Sequence, residues 1–150
     1  MKVAIGSDHG GYKLKENLKK YLKELDIEYT DFGCNNEQPV DYPDIGFKVS
    51  DEVRNGRYDR GILICGTGVG MSIVANKIKD IRASLCHDAF SARNAREHND
   101  ANVLTLGARV IGIRLAEEIV KIWLNTDFSQ EERHINRINK IKQKENKIYK

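Results

Sequence analysis

Apolar and polar positions follow two rhythms along the chain. "KVAIG" (residues 2–6) is a compact apolar run, and after "SDHGG" the residues Leu14, Leu18, Tyr21, Leu22 and Leu25 recur three and four apart. The first rhythm predicts a strand and the second a helix with one buried stripe. "IEYTDF" alternates as a half-buried strand does; a polar loop containing "QPVDYPD" then leads to a helix with Ile45, Val49 and Val53 on one face. "GILIC" (residues 61–65) is short, apolar and glycine-bounded, as a fully buried parallel strand is, and a helix follows from about Gly70. "IRASLC" and "NVLTL" predict two more strands, separated by a helix through "AFSARNAREH", and "GIRLAEEIVKIWL" predicts another helix. A last helix is expected from Ser129 to about Lys142, opening on a capping box from Ser129 to Glu132, with a flexible tail over 143–150.

Five strands alternating with helices imply a parallel sheet covered on both faces. The expected fold is α/β: a single-domain, doubly wound, Rossmann-like three-layer α/β/α sandwich with a five-stranded parallel sheet and an added C-terminal helix. The length of 150 residues suits one domain over 1–150. Ligands of such sheets bind beyond the carboxyl ends of the strands where the winding reverses, commonly between strands 1 and 3. That directs attention to "SDHGG" and "CGTGVG".

Charge changes the picture little. Twenty-five Lys and Arg against 22 Asp and Glu leave a net +3, spread out except for a Lys-rich end, which is too weak for nucleic acid but suits a small anion. The start of the chain lacks the apolar core of a signal peptide and no run approaches the ~20 apolar residues of a membrane helix, so a cytoplasmic protein with no membrane partner is expected. Three cysteines without a C-x-x-C pair and four histidines without a cluster indicate neither a disulfide framework nor a zinc site.

"GTGVG" lacks the third glycine of a dinucleotide fingerprint, which would fall at Met71, and it lacks the P-loop spacing. What it keeps is a backbone cradle for an oxygen anion. Beside it, Cys65 has two open readings: a thiolate serving as nucleophile or base, or a small buried hydrophobe closing a strand. Asp8 and His9 lie across the expected crevice, although charged residues at a strand tip, taken alone, read as turn formers. His98 and Asn99 precede the fifth strand, at its amino end, so a site there is more easily served from a neighbouring subunit. Arg133 and Arg137, four apart, could clasp a phosphate or form a solvated face; Arg109 is more suggestive, in a glycine-flanked turn after a strand. His87, His134, Cys34 and Cys86 have no evident partners.

Taken together, "VAIGSDHGGYKLKE", "DYPD", "GILICGTGVGMSIVANK", "REHNDANVLTLGARVIG" and "ERHINRI", in this order, make the chain resemble the type B ribose-5-phosphate isomerase family, which includes galactose-6-phosphate isomerase subunits. The resemblance implies an aldose–ketose isomerase that needs no cofactor or metal and interconverts ribose 5-phosphate and ribulose 5-phosphate through a cis-enediol(ate). It assigns Cys65 as the base, with the amides of Gly66, Thr67, Gly68, Val69 and Gly70 stabilising the developing oxyanion. Thr67 would assist hydroxyl proton movement, Asp8 and Asn99 would orient hydroxyls, and His98 would open the furanose ring. His9, Arg109, Arg133 and Arg137 would hold the phosphate. One branch of the family uses a glutamate base, but residues 61–78 contain no Glu. The resemblance also implies a homodimer, or a dimer of dimers, with shared active sites. Two alternatives stand beside this: an isomerase of a six-carbon phosphosugar such as allose 6-phosphate or galactose 6-phosphate, and a non-catalytic phosphosugar-binding module.

Overall fold

The computed structural model describes residues 1–149. Five parallel strands, β1 (Lys2–Ser7), β2 (Glu28–Asp31), β3 (Arg60–Cys65), β4 (Ala83–Leu85) and β5 (Val103–Gly107), form one sheet in the order β2-β1-β3-β5-β4. The helices are α1 (Tyr12–Glu24), α2 (Tyr42–Arg54), α3 (Val69–Ala75), α4 (Ala89–Glu97), α5 (Ile113–Asn125) and α6 (Glu132–Ile148).

Period-two alternation divides each central strand between two cores. Val3, Ile5, Ile62, Ile64, Leu104 and Leu106 pack with Leu14, Leu18 and Leu22 of α1, Ala92 and Ala95 of α4, and Ile119, Val120 and Trp123 of α5. Ala4, Leu63, Cys65 and Val103 face the other way, against Ile45, Val49 and Val53 of α2 and Met71 and Ala75 of α3. Both faces of β3 are therefore apolar, which is why its sequence reads as a continuous hydrophobic run. From β1 the chain winds out to β2 and then returns to β3 on the other side of β1, so the reversal falls between β1 and β3, as expected for this fold.

Four local expectations change. The run "IRASLC" is extended only over Ala83–Leu85, because the Arg82 N–H donates to the Asn102 side chain (2.8 Å) and not to a strand partner. The capping box does not form: α6 starts at Glu132 after Glu131, and the Ser129 hydroxyl accepts the Glu131 N–H (3.3 Å) in a turn before the helix. Gln130 lies within this turn at φ +59°, which puts Ser129 out of register with the first helical amides. The helix also passes Lys142 and runs to Ile148, and the Tyr149 hydroxyl donates to the Lys77 carbonyl (2.8 Å). Residues 143–148 of the expected tail are thus helical, while Lys150 lies outside the described residues. On α1, Tyr21 and Leu25 are only half-buried, whereas Lys15 beside the apolar stripe is fully buried. Its ammonium donates to Asp31 of β2 (2.5 Å) and to the Cys34 carbonyl (2.7 Å). No helix among the described residues is long and apolar enough to cross a membrane.

Candidate active site

At the carboxyl edge of the sheet, the end of β1 is tied to β3 by the Asp8 N–H, which donates to the Ile64 carbonyl (3.2 Å). Asp8 then caps a single 3-10 turn (His9–Gly11), its Oδ1 accepting the Gly11 N–H at 3.0 Å. His9 Nδ1 accepts the Val40 N–H (3.3 Å), which commits that nitrogen and leaves Nε2 for a ligand.

β3 delivers Cys65, which is buried, with its Sγ accepting the Gly68 N–H at 3.1 Å. The turn that follows is shaped by its surroundings. Gly68 has φ +76°, and a Cβ there would lie 2.5 Å from Leu85 Cδ1 and 2.8 Å from the Leu106 carbonyl carbon, so backbone conformation and space both demand glycine. Thr67 Oγ1 accepts the Val69 N–H (3.3 Å), and Gly70 lies against the Tyr42 ring. From the far side, the Ala108 and Arg109 amides donate to the Cys65 and Gly66 carbonyls, each at 2.9 Å. Arg109 is brought in by this pairing: its Nη1 would lie 3.2 Å from a Cβ on Gly66, and its Nη2 3.6 Å from one on Gly10. The same point at Gly10 is 3.3 Å from both Asp8 Oδ1 and the Gly66 nitrogen. Carboxylate, guanidinium and the start of the glycine turn therefore surround one small space, left open by the missing side chains of Gly10 and Gly66, the latter next in sequence to Cys65.

A second cluster lies at the opposite edge. His98 caps the C-terminus of α4, and its ring stacks on that of His134 with centroids 4.3 Å apart and planes 9° from parallel. His134 is buried, and its Nε2 has no hydrogen-bond partner among the described residues. Burial holds the His134 imidazole pKa below its ordinary value, and the facing His98 and Arg133 push it the same way. Asn99 follows His98, its carbonyl accepting from Arg82 Nε (3.0 Å). Arg133 and Arg137 project from α6, both exposed; Arg133 Nε pairs with Glu131 at 2.8 Å.

One chain therefore brings together Asp8, His9, Cys65, Gly66, Thr67, Gly68, Val69, Gly70 and Arg109, and it does not bring His98, Asn99, Arg133 and Arg137 to them. The length of β5, five residues or about 16 Å, separates the two groups along the sheet. Two histidines passed over in the sequence belong to these clusters. His87 Nε2 accepts the Gly107 N–H (3.2 Å) beside Thr67, a placement readable from its position just after a predicted strand. The stacking of His134 on His98 joins segments 36 residues apart and has no local signature. Cys34 and Cys86 stay outside both clusters: the Cys34 thiol donates to the Asn36 carbonyl (3.1 Å), and burial pushes the Cys86 thiol up to about 11. No group of three or more His, Cys, Asp or Glu side chains able to hold a metal ion occurs among the described residues.

Comparison with known proteins identifies the family. Residues 3–141 match the ribose/galactose isomerase family. The chain is 56% identical over 129 residues to a ribose-5-P isomerase B of Listeria innocua, covering 86% of this chain and 87% of that one. It is 45% identical over 130 residues to a D-erythrulose-4-phosphate isomerase of Pectobacterium atrosepticum, covering 85% of each. Among solved structures, ribose-5-phosphate isomerase B of Clostridium thermocellum superposes with a TM-score of 0.96 at 51% identity over 99% of both chains.

Proposed function

The chain belongs to the ribose/galactose isomerase family, and we propose on that footing that it interconverts ribose 5-phosphate and ribulose 5-phosphate through a cis-enediolate, with Cys65 as the base. The observation that carries the reading is the position of the Cys65 sulfur: it ends a buried strand and accepts the Gly68 amide of its own glycine turn.

A proton beside a carbonyl is weakly acidic, so its removal needs a positioned base and donors ready for the charge that forms. With the open-chain aldehyde bound, Cys65 as thiolate takes the proton from C2. The electron pair moves into the C1–C2 bond as the carbonyl π pair moves onto the C1 oxygen, where amides of residues 66–70 receive it. The C2 hydroxyl proton passes to the C1 oxygen with help from Thr67 as the Cys65 thiol returns its proton to C1, leaving the C2 ketone, the C1 hydroxyl and Cys65 again as thiolate. Asp8 and Asn99 orient hydroxyls, and His9, Arg109, Arg133 and Arg137 hold the phosphate through charge-assisted bonds. Before proton transfer, His98 opens the furanose ring as acid and base.

His98, Asn99, Arg133 and Arg137 reach this site from a second copy of the chain, in a homodimer with shared sites or a dimer of such dimers. The support is the strand-length gap between the clusters and the exposed Val69 and Ile73 beside the glycine turn, which offer apolar surface to a partner subunit. The reading places the enzyme in the cytoplasm, with the described sheet and helices acting as one isomerase domain.

The test is turnover of ribose 5-phosphate by the purified protein in excess chelator, beside Cys65→Ala and alongside allose 6-phosphate and galactose 6-phosphate. Activity that falls at least about 10²-fold in the variant, with substrate binding retained, supports the cysteine base. An active variant overturns it, and a parent that prefers the six-carbon sugars moves the substrate to that class. Shared sites predict that inactive Cys65→Ala and inactive His98→Ala chains recover activity when refolded together.

A further inference from the structure

The turn that carries His98 and Asn99 is held with unusual density by groups the reaction does not use. Asp100 sits at φ +46°, a left-handed conformation that costs a side-chain-bearing residue energy and that aspartate tolerates better than most. Its carboxylate is divided between two guanidiniums: Oδ1 accepts from Arg96 Nη1 at 2.8 Å and Oδ2 from Arg82 Nη2 at 3.0 Å. Both arginines also bind the backbone of the turn. Arg82 Nε donates to the Asn99 carbonyl (3.0 Å) and Nη2 to the Asp100 carbonyl (2.9 Å), while Arg96 Nη1 donates to the Ala101 carbonyl (2.6 Å). The Asp100 and Ala101 amides return to the Arg96 and Ala95 carbonyls at 3.1 and 2.9 Å.

Arg96 is itself fixed. It is 2% exposed, donates to the Thr126 carbonyl (3.3 Å), and has its guanidinium 6.0 Å from the Trp123 ring centroid. The clamp therefore runs from the core around α5 to Asp100, two positions after His98. The His98 imidazole is held on its other side by the His134 ring.

We infer that Asp100, gripped by Arg82 and Arg96, is a positioning residue for His98: the bridged carboxylate sets the backbone from which the imidazole reaches a sugar ring. This rests on the ring-opening role proposed above for His98. The Asp100 side chain is 37% exposed, so its pairs add little net stability, but with Arg96 buried they hold the carboxylate in a single geometry, which is what an acid–base group requires.

A double-mutant cycle with His98→Ala tests this, read in kcat on whichever phosphosugar the parent isomerises. Asp100→Asn keeps the shape and the tolerance of the left-handed backbone while removing the charge. Positioning through His98 predicts a fall in kcat of about tenfold or more in the parent, but of less than about threefold when His98 is already alanine. A clamp that only stabilises the fold predicts equal losses in both backgrounds. Equal losses, or no loss in the parent, overturn the inference. If His98→Ala alone costs nothing, the ring-opening role falls first and the inference with it; if that loss is present and the two effects add, the inference alone falls. Should Asp100→Asn fail to fold in a urea titration, Arg82→Gln at a side chain 16% exposed takes its place in the same cycle.

Discussion

Gly68 and Gly56 both have positive φ, +76° and +70°, and differ in what surrounds them. A Cβ on Gly56 would meet nothing within 4 Å. On Gly68 it would lie 2.5 Å from Leu85 Cδ1, which a rotamer change could relieve, and 2.8 and 3.1 Å from the Leu106 carbonyl carbon and the Gly107 nitrogen, backbone atoms of a central strand that cannot yield separately. Alanine at either position incurs the left-handed cost of about 1–2 kcal/mol. Only Gly68→Ala adds overpacking, about 1–3 kcal/mol. With a urea slope of about 2 kcal/mol/M, its unfolding midpoint should fall below that of Gly56→Ala by about 0.5–1.5 M. The same substitution displaces the amide that meets the Cys65 sulfur, so phosphosugar isomerisation should drop in Gly68→Ala and persist in Gly56→Ala. Coincident midpoints for the two variants, or full activity in Gly68→Ala, would refute the claim that close approach, beyond backbone conformation, fixes glycine in this turn.

Lys15→Met removes a fully buried ammonium but leaves Asp31 paired with Lys19 (2.8 Å) and with the Gly33 amide (2.9 Å), so the loss should stay near the low end for a broken buried pair, about 3 kcal/mol by chemical denaturation; an unchanged midpoint would show that the pair contributes no net stability. Burial alone would raise the Asp31 carboxyl pKa, but the bonds from Lys15, Lys19 and Gly33 outweigh it and hold the group below its usual value. A carboxyl depressed in the folded state adds stability above its unfolded value near ~4 and loses it as pH falls through the folded value. The urea midpoint should therefore drop below about pH 4, and drop less in Lys15→Met; an equal acid loss in both proteins would remove Asp31 from the account.

The clustering of the candidate site residues was legible in the chain because their carriers are local. Asp8, His9, residues 65–70 and Arg109 each follow directly on an apolar strand, and in a parallel sheet every strand end falls on one edge. The place of His98 and Asn99 before β5 was enough to separate them from that edge. The start of α6 was misread because a Ser-x-x-Glu spacing describes only side chains that could cap, while the left-handed Gln130 shifts the helix past Ser129.

The five strands, the cores on their two faces and the glycine turn follow from the order of residues alone, because hydrophobic period and turn chemistry act between near neighbours. Tertiary structure decided the rest. The insertion of β5 between β3 and β4, the burial of Lys15, the stacking of His134 on His98 and the bridge through Asp100 all join residues from separate segments or elements. A lysine beside a helical stripe reads as a solvated flank until the Asp31 carboxylate on a strand 16 residues away receives it. Which residues meet across such distances depends on how the layers close over the sheet, and periodicity along the chain carries no record of that.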